Sequence, residues 1–205
     1  MIKTLTCFWA VAISYFPPVR TKLCQTAKDI IAEYGTPRLH RKFIMAVGHS
    51  KAGKRTVLAR EEGLHIDTDD IHRRINQMFA LLQRDDLVGT RAYWTRQIFT
   101  WAVRSMILND VLQKGVRVVS DSCNLRASER RKVLRLAKIY HYRTVIIYVT
   151  CPECVLLERL EEADDLRVTH GEPPVWVTIY QTVQKPRLDP PTADEADEFF
   201  VIPTA

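Results

Sequence analysis

The stretch KFIMAVG at residues 42–48, followed directly by HSKAGKRT, limits the fold more than any other part of the chain. A continuous apolar run closed by glycine reads as a strand buried on both faces, the situation of a parallel sheet covered by helices. The glycine loop then opens a helical stretch predicted over 53–62 and stopped by Gly63. The same alternation continues downstream. Strands are predicted at 64–66, 116–121, 144–150 and 198–202, and helices at 91–114, 128–140, 153–163 and 175–184, with Ser128 as the N-cap of the second of these helices. Trp94 and Trp101, seven apart on the long helix, are expected in its core-facing stripe. The segment 164–174, with Gly171, Pro173 and Pro174, reads as a loop. Strands alternating with helices of this length imply an α/β fold, three layers deep, around a mostly parallel five-stranded sheet.

In such sheets ligands bind beyond the carboxyl ends of the strands. Three chemically suggestive features fall there. The first is the loop Gly48, His49, Ser50, Lys51, Ala52, Gly53, Lys54, Arg55, Thr56. It follows the phosphate-binding pattern G-x-x-x-x-G-K, whose backbone N–H groups cradle phosphates while the lysine reaches the outer ones. The pattern's last position, a serine or threonine that serves a magnesium ion, is Arg55 here. Thr56 lies one residue on, about 100° further around a helix. The second feature is the acidic cluster Asp67, Asp69 and Asp70; an aspartate after a strand is placed to accept a proton, though capping alone also favours it. The third is Asp121, at a strand end where a carboxylate organises the metal. Asp121 and Thr56 are the candidate metal ligands.

At 205 residues the chain suits one domain, here 41–205, with residues 1–40 an N-terminal extension that is either a strand or a helix packed on the core. The apolar run at the start lacks a clean cleavage exit and is too short to span a membrane. Five cysteines without metal-binding spacing suggest reduced thiols and a cytoplasmic location. The net charge of +6 is concentrated between Arg117 and Arg143, where eight basic residues face two acidic ones. That segment reads either as a solvated helix face or as a surface for phosphate-rich ligands, nucleic acid included.

Taken together, AVGHSKAGKRT, TDDIHRR, VVSDSCNLRASERRKVLRLAKIY, TVIIYVTCPECVLLERL and PPTADEADEFFVI resemble, in the same order along 42–202, the phosphate-loop (P-loop NTPase) kinases related to polynucleotide 5′-hydroxyl kinase, an AAA-type ATP-binding kinase domain. Zeta toxins and small-molecule phosphotransferases share that fold. The resemblance implies ATP and Mg²⁺ as cofactors, with Lys54 and the loop holding the donor phosphates. It implies that Asp69 activates the acceptor hydroxyl and that Asp121 is the strand-end acid. Arg73, Asn124, Arg126 and Arg130 would then serve the acceptor side. Arg159 and Arg167 would belong to a mobile lid over about 159–178. The family's arginine three residues after its aspartate is His72 here, with Arg73 beside it. The implied activity is transfer of the γ-phosphate to a polynucleotide 5′-hydroxyl or a related small molecule. The alternative is a nucleotide-binding module with little or no transfer, favoured by Arg55, His72 and a lid with few arginines. A toxin-like kinase acting on a sugar-nucleotide or a macromolecule is a third reading that no residue here selects.

Overall fold

The computed structural model describes residues 17–33, 41–79 and 90–205, so the apolar run at 1–16 lies outside the described residues. The described residues divide into two compact units, one of 17–33 with 67–79 and 90–114 and the other of 41–66 with 115–205.

The second unit is organised by β1 (Lys42–Val47), of which every residue after Lys42 is buried. The continuous apolar run is the cause: no side of such a strand can face water, so it takes the centre of the sheet. The order is β2-β3-β1-β4-β5, with β2 at Leu64–Asp67, β3 at Val118–Asp121, β4 at Arg143–Thr150 and β5 at Glu198–Pro203. β1 runs parallel to β3, with Phe43 opposite Val118, and parallel to β4, with Val47 opposite Tyr148. β5 is parallel to β4 from Val145–Glu198 to Thr150–Pro203. Asp197 sets that register, since its carboxylate accepts from Thr144 N–H at 2.7 Å and from the Thr144 hydroxyl at 2.8 Å. Successive strand residues point to opposite faces. Ile44 and Ala46 therefore share one core with Val119, Val145, Ile147, Leu156 and Leu160, while Phe43, Met45 and Val47 are buried as well.

The helix after the glycine loop, α2 (Lys54–Leu58), is only five residues long, shorter than the predicted 53–62. α5 (Ala127–Ile139) begins before Ser128, and Arg126 holds the N-cap position. α6 (Glu153–Thr169) corrects the loop expected at 164–174, because the helix continues through 164–169. The reason is Asp164: buried in the last turns of α6, its carboxylate accepts backbone N–H bonds from Val175, Trp176 and Val177 at 2.7–3.0 Å. Those bonds close the turn onto α7 (Trp176–Ile179), which continues as a π-helical turn at Tyr180–Gln184.

The first unit is helical: α1 (Pro17–Glu33), α3 (Thr68–Met78) and α4 (Arg91–Gln113), with α1 and α3 both packed on α4. The described part of the N-terminal extension is thus a helix. Its buried Leu23, Ala27 and Ile30 recur at helical spacing, and Ile71 and Ile75 do the same on α3. α3 escaped the periodicity reading because its apolar positions are few among charged residues. Trp101, expected in the core, is 47% exposed on α4. The packing of that helix is done by Phe99, Val103, Ile107 and Val111.

Candidate functional site

The loop between β1 and α2 is shaped by two glycines. Gly48 has φ 149°, and a Cβ there would lie 2.6 Å from the Val149 carbonyl oxygen; its N–H donates to the Cys123 carbonyl at 3.1 Å. Gly53 has φ 89°, a left-handed conformation in which side chains are strained, and a Cβ would meet Thr204 at 3.2 Å. Lys51, between them, also takes a positive φ of 62°, and its ammonium lies 5.3 Å from the centre of the Trp176 ring. Ala52 is buried, and its carbonyl accepts from the Thr204 hydroxyl at 2.8 Å.

Lys54 is 8% exposed. Its ammonium donates to the His49 carbonyl at 2.6 Å and to Cys123 Sγ at 3.8 Å, so the side chain curls back toward the loop. His49 is held neutral near pH 7: burial lowers its pKa first, and the Lys54 charge lowers it further. Its ring meets Tyr180 edge-on at 5.0 Å. The Tyr180 hydroxyl donates to Glu153 at 3.1 Å.

Gln184 was not singled out by sequence. Its side-chain carbonyl accepts from Ser50 N–H at 3.0 Å, and its amide donates to the Ser50 hydroxyl at 2.7 Å. Gln184 is 134 positions from Ser50 and comes from a π-helical turn, so neither spacing nor motif could have flagged it. Its two bonds hold the front of the loop in one shape.

Arg159, halfway along α6, reaches this loop: its guanidinium donates to the Lys51 carbonyl at 3.4 Å. Arg167 does not join it. Two turns further along α6, it donates to the Pro173 carbonyl at 2.9 Å and pairs with Glu172 at 3.1 Å, tying down the segment that links α6 to α7.

The segment after β3 uses its polar residues on the fold itself. Asn124 has φ 46°, and its side-chain amide donates to the Ala46 carbonyl at 2.7 Å and to the Ser122 carbonyl at 3.1 Å. Arg130, expected to hold an acceptor, has no exposed surface. It makes a two-pronged pair with Glu195 at 2.7 and 2.8 Å and donates to the Asn124 and Leu125 carbonyls. The basic segment is further neutralised by Arg117–Glu61, Lys138–Asp197 and Arg143–Glu198 pairs. Lys138 and Arg143 are exposed in their pairs, and Arg126, Arg131, Lys132 and Arg135 are exposed as well.

In the helical unit, Asp67 is the N-cap of α3, its carboxylate accepting from Asp69 N–H at 2.8 Å. Asp69 presents an exposed side chain in the first turn. Asp70 is engaged: Arg73 and Arg74 both donate to it, and Arg74 also pairs with Glu33 of α1. Burial would raise the Asp70 pKa, but these two arginines hold it below the usual carboxylate range. Arg73 is thereby drawn toward Asp70.

The residues expected to hold a divalent cation do not fit one. Arg55 Nε lies 3.9 Å from Asp121 Oδ2, so the strand-end carboxylate already faces a cation. The hydroxyl of Ser50 is bonded to Gln184, and that of Thr204 donates to the Ala52 and Thr150 carbonyls. Thr56 is exposed on α2, one position beyond Arg55. Among the described residues no group of three or more His, Cys, Asp or Glu side chains is gathered that could hold a metal.

The sequence model of one protein family, described as an AAA domain, matches residues 43–167. No curated protein is significantly similar in sequence. Among solved structures, a chain of the PezAT chromosomal toxin–antitoxin system of Streptococcus pneumoniae is similar with a TM-score of 0.62 and 16% identity. The match covers 73% of this chain and 64% of that one, so this chain spans less than two thirds of that relative. A proposed kinase from Chloroflexus aurantiacus is similar with a TM-score of 0.57 and 19% identity, over 81% of this chain and 86% of that one. At these identities the likeness is one of fold: the three-layer α/β/α fold of phosphate-loop nucleotide enzymes. No helix among the described residues is long and apolar enough to cross a membrane.

Proposed function

The chain belongs to the AAA domain family, and we propose that within it the protein is a phosphotransferase, moving the γ-phosphate of ATP to a hydroxyl acceptor. The observation that carries the reading is the covered Lys54 curled toward a two-glycine loop, with Arg159 against the same loop. A glycine loop between a strand and a helix, with a lysine at the helix start, is an arrangement suited to a phosphate chain. In the proposed reaction the acceptor oxygen attacks the γ-phosphorus, the bond from that phosphorus to the bridging oxygen breaks, and ADP leaves. The acceptor proton passes to the Asp69 carboxylate, exposed in the first turn of α3. Lys54 and Arg159 stabilise charge on the phosphate chain. Arg126 is the one acceptor-side arginine whose side chain remains exposed near the start of α5.

The proposed acceptor is a polynucleotide 5′-hydroxyl end or a small molecule bearing the same group. The exposed Arg131, Lys132 and Arg135 on α5 support a polyanionic acceptor. One observation favours a second reading, a binding module without transfer: the Arg55–Asp121 pair in the cation's place. The test is transfer of labelled γ-phosphate from ATP to a 5′-hydroxyl oligonucleotide and to a panel of small alcohols, with Lys54→Ala as the blank. Labelled product that disappears with Lys54→Ala and with Asp69→Asn supports the enzyme. ATP binding without product on any acceptor favours the module.

A further inference from the structure

In the loop at 48–56 and the strand beside it, the two groups expected to serve a cation are both diverted. The hydroxyl position is an arginine, and the carboxylate at the end of β3 faces that arginine's guanidinium at 3.9 Å. The two changes belong together. Asp121 is largely covered, its side chain 13% exposed, while the Arg55 side chain is 72% exposed. A cation beside a covered carboxylate favours its charged form, and here the chain supplies one itself. Magnesium, by contrast, demands near-octahedral oxygen ligands and gives up its waters reluctantly. Seating it on Asp121 would place a double charge against a guanidinium that cannot be deprotonated.

We propose that Arg55 is a built-in replacement for the divalent cation, so that the loop takes the nucleotide's phosphate chain without a protein-held metal ion. The guanidinium is planar, permanently charged and suited to grip two phosphate oxygens at once. It sits one residue after Lys54 in the first turn of α2, with enough exposed length to leave Asp121 for a phosphate. Asp121 then serves as the parking partner of Arg55 before the nucleotide arrives. This inference rests on the loop being a nucleotide site, and it deepens that reading by naming what balances the phosphate charge.

The test measures ATP affinity by calorimetry in EDTA and in excess magnesium, for the wild type, Arg55→Ser and Lys54→Ala. The wild type is expected to bind within about twofold under the two conditions, since no metal ligand is lost in EDTA. Arg55→Ser restores a hydroxyl and frees Asp121, so it is expected to bind about tenfold or more weakly in EDTA and to recover in magnesium. Titration of that variant with manganese, read by the relaxation of solvent protons, should show a bound ion that the wild type does not hold. If the wild type binds ATP only with magnesium, the replacement is overturned while the nucleotide site stands. If ATP binds under neither condition and Lys54→Ala behaves as the wild type does, the replacement fails together with the site itself.

Discussion

Two loops leave neighbouring strands of the sheet, 48–53 after β1 and 122–126 after β3, and each begins with small and polar residues beyond a buried apolar strand. Their side chains are put to different uses. After β3, Asn124 ties the loop to the Ala46 carbonyl, and Arg130 is sealed against Glu195. After β1, the binding is done around the loop by others: Gln184 fixes Ser50, and Thr204 fixes Ala52. The loop's own charges, on Lys51 and Arg55, stay at the surface, and Lys54 donates to the His49 carbonyl and the Cys123 sulfur without a carboxylate partner in those bonds. The difference separates a braced site from a brace. A charged residue beyond a parallel strand is a site candidate only when its side chain is not spent on a buried ion pair of the fold.

The largest expected effect breaks the brace. Arg130→Ala would leave Glu195 and two carbonyls without their guanidinium, which should cost about 3–5 kcal/mol in urea unfolding. A loss under about 1 kcal/mol would mean that the buried pair is not a structural element and that the contrast between the loops is mistaken. Next is the site. Lys54→Ala should weaken ATP binding by about 100-fold while changing stability by less than about 1 kcal/mol, measured by calorimetry beside the same urea curve.

Asp164→Asn sharpens the contrast at the turn that carries α7. An amide accepts fewer of the three N–H bonds, so about 1–3 kcal/mol of stability should be lost. The same carboxylate has a pH signature. Burial would raise its pKa, but the N–H groups of Trp176, Val177 and Val175 hold it below the ordinary 3.8. The folded form thus binds its proton less readily than the unfolded one. Its stabilising contribution is complete above that ordinary value and is lost as the pH falls through the lower folded value. Acid unfolding curves of the wild type should show this loss, and those of Asp164→Asn should lack it. The smallest effect is Gln184→Ala, which frees Ser50 and should weaken ATP binding by about fivefold, or about 1 kcal/mol, with stability nearly unchanged. An unchanged affinity would show that the loop keeps its shape without the amide.

Much of the fold was readable because its signals are local. Apolar runs marked β1 and β4, a valine-rich stretch ending in aspartate marked β3, and glycines marked the ends of the loop and of the long helix α4. Signals that depend on distant partners were not readable. α6 runs on through 164–169 because Asp164 closes it against 175–177, a bond between residues 11 to 13 positions apart. The shortness of α2 and the helix α3 also escaped, since neither has a full apolar stripe. At the site, the motif gave Lys54 and the two glycines, and Arg159 does reach the loop. Nothing in the motif distinguishes Arg130 from Arg126, because burial depends on Glu195, 65 positions away. The Gln184 clamp and the Arg55–Asp121 pair are likewise visible only in three dimensions.

The most direct measurement of the central claim is amide hydrogen exchange across the chain with and without ATP. A braced donor site should show slowed exchange confined to 48–56, with 122–130 unchanged, because the second loop is already fully employed by the fold. Protection appearing at 122–130 instead, or none at 48–56 at saturating ATP, would contradict the account.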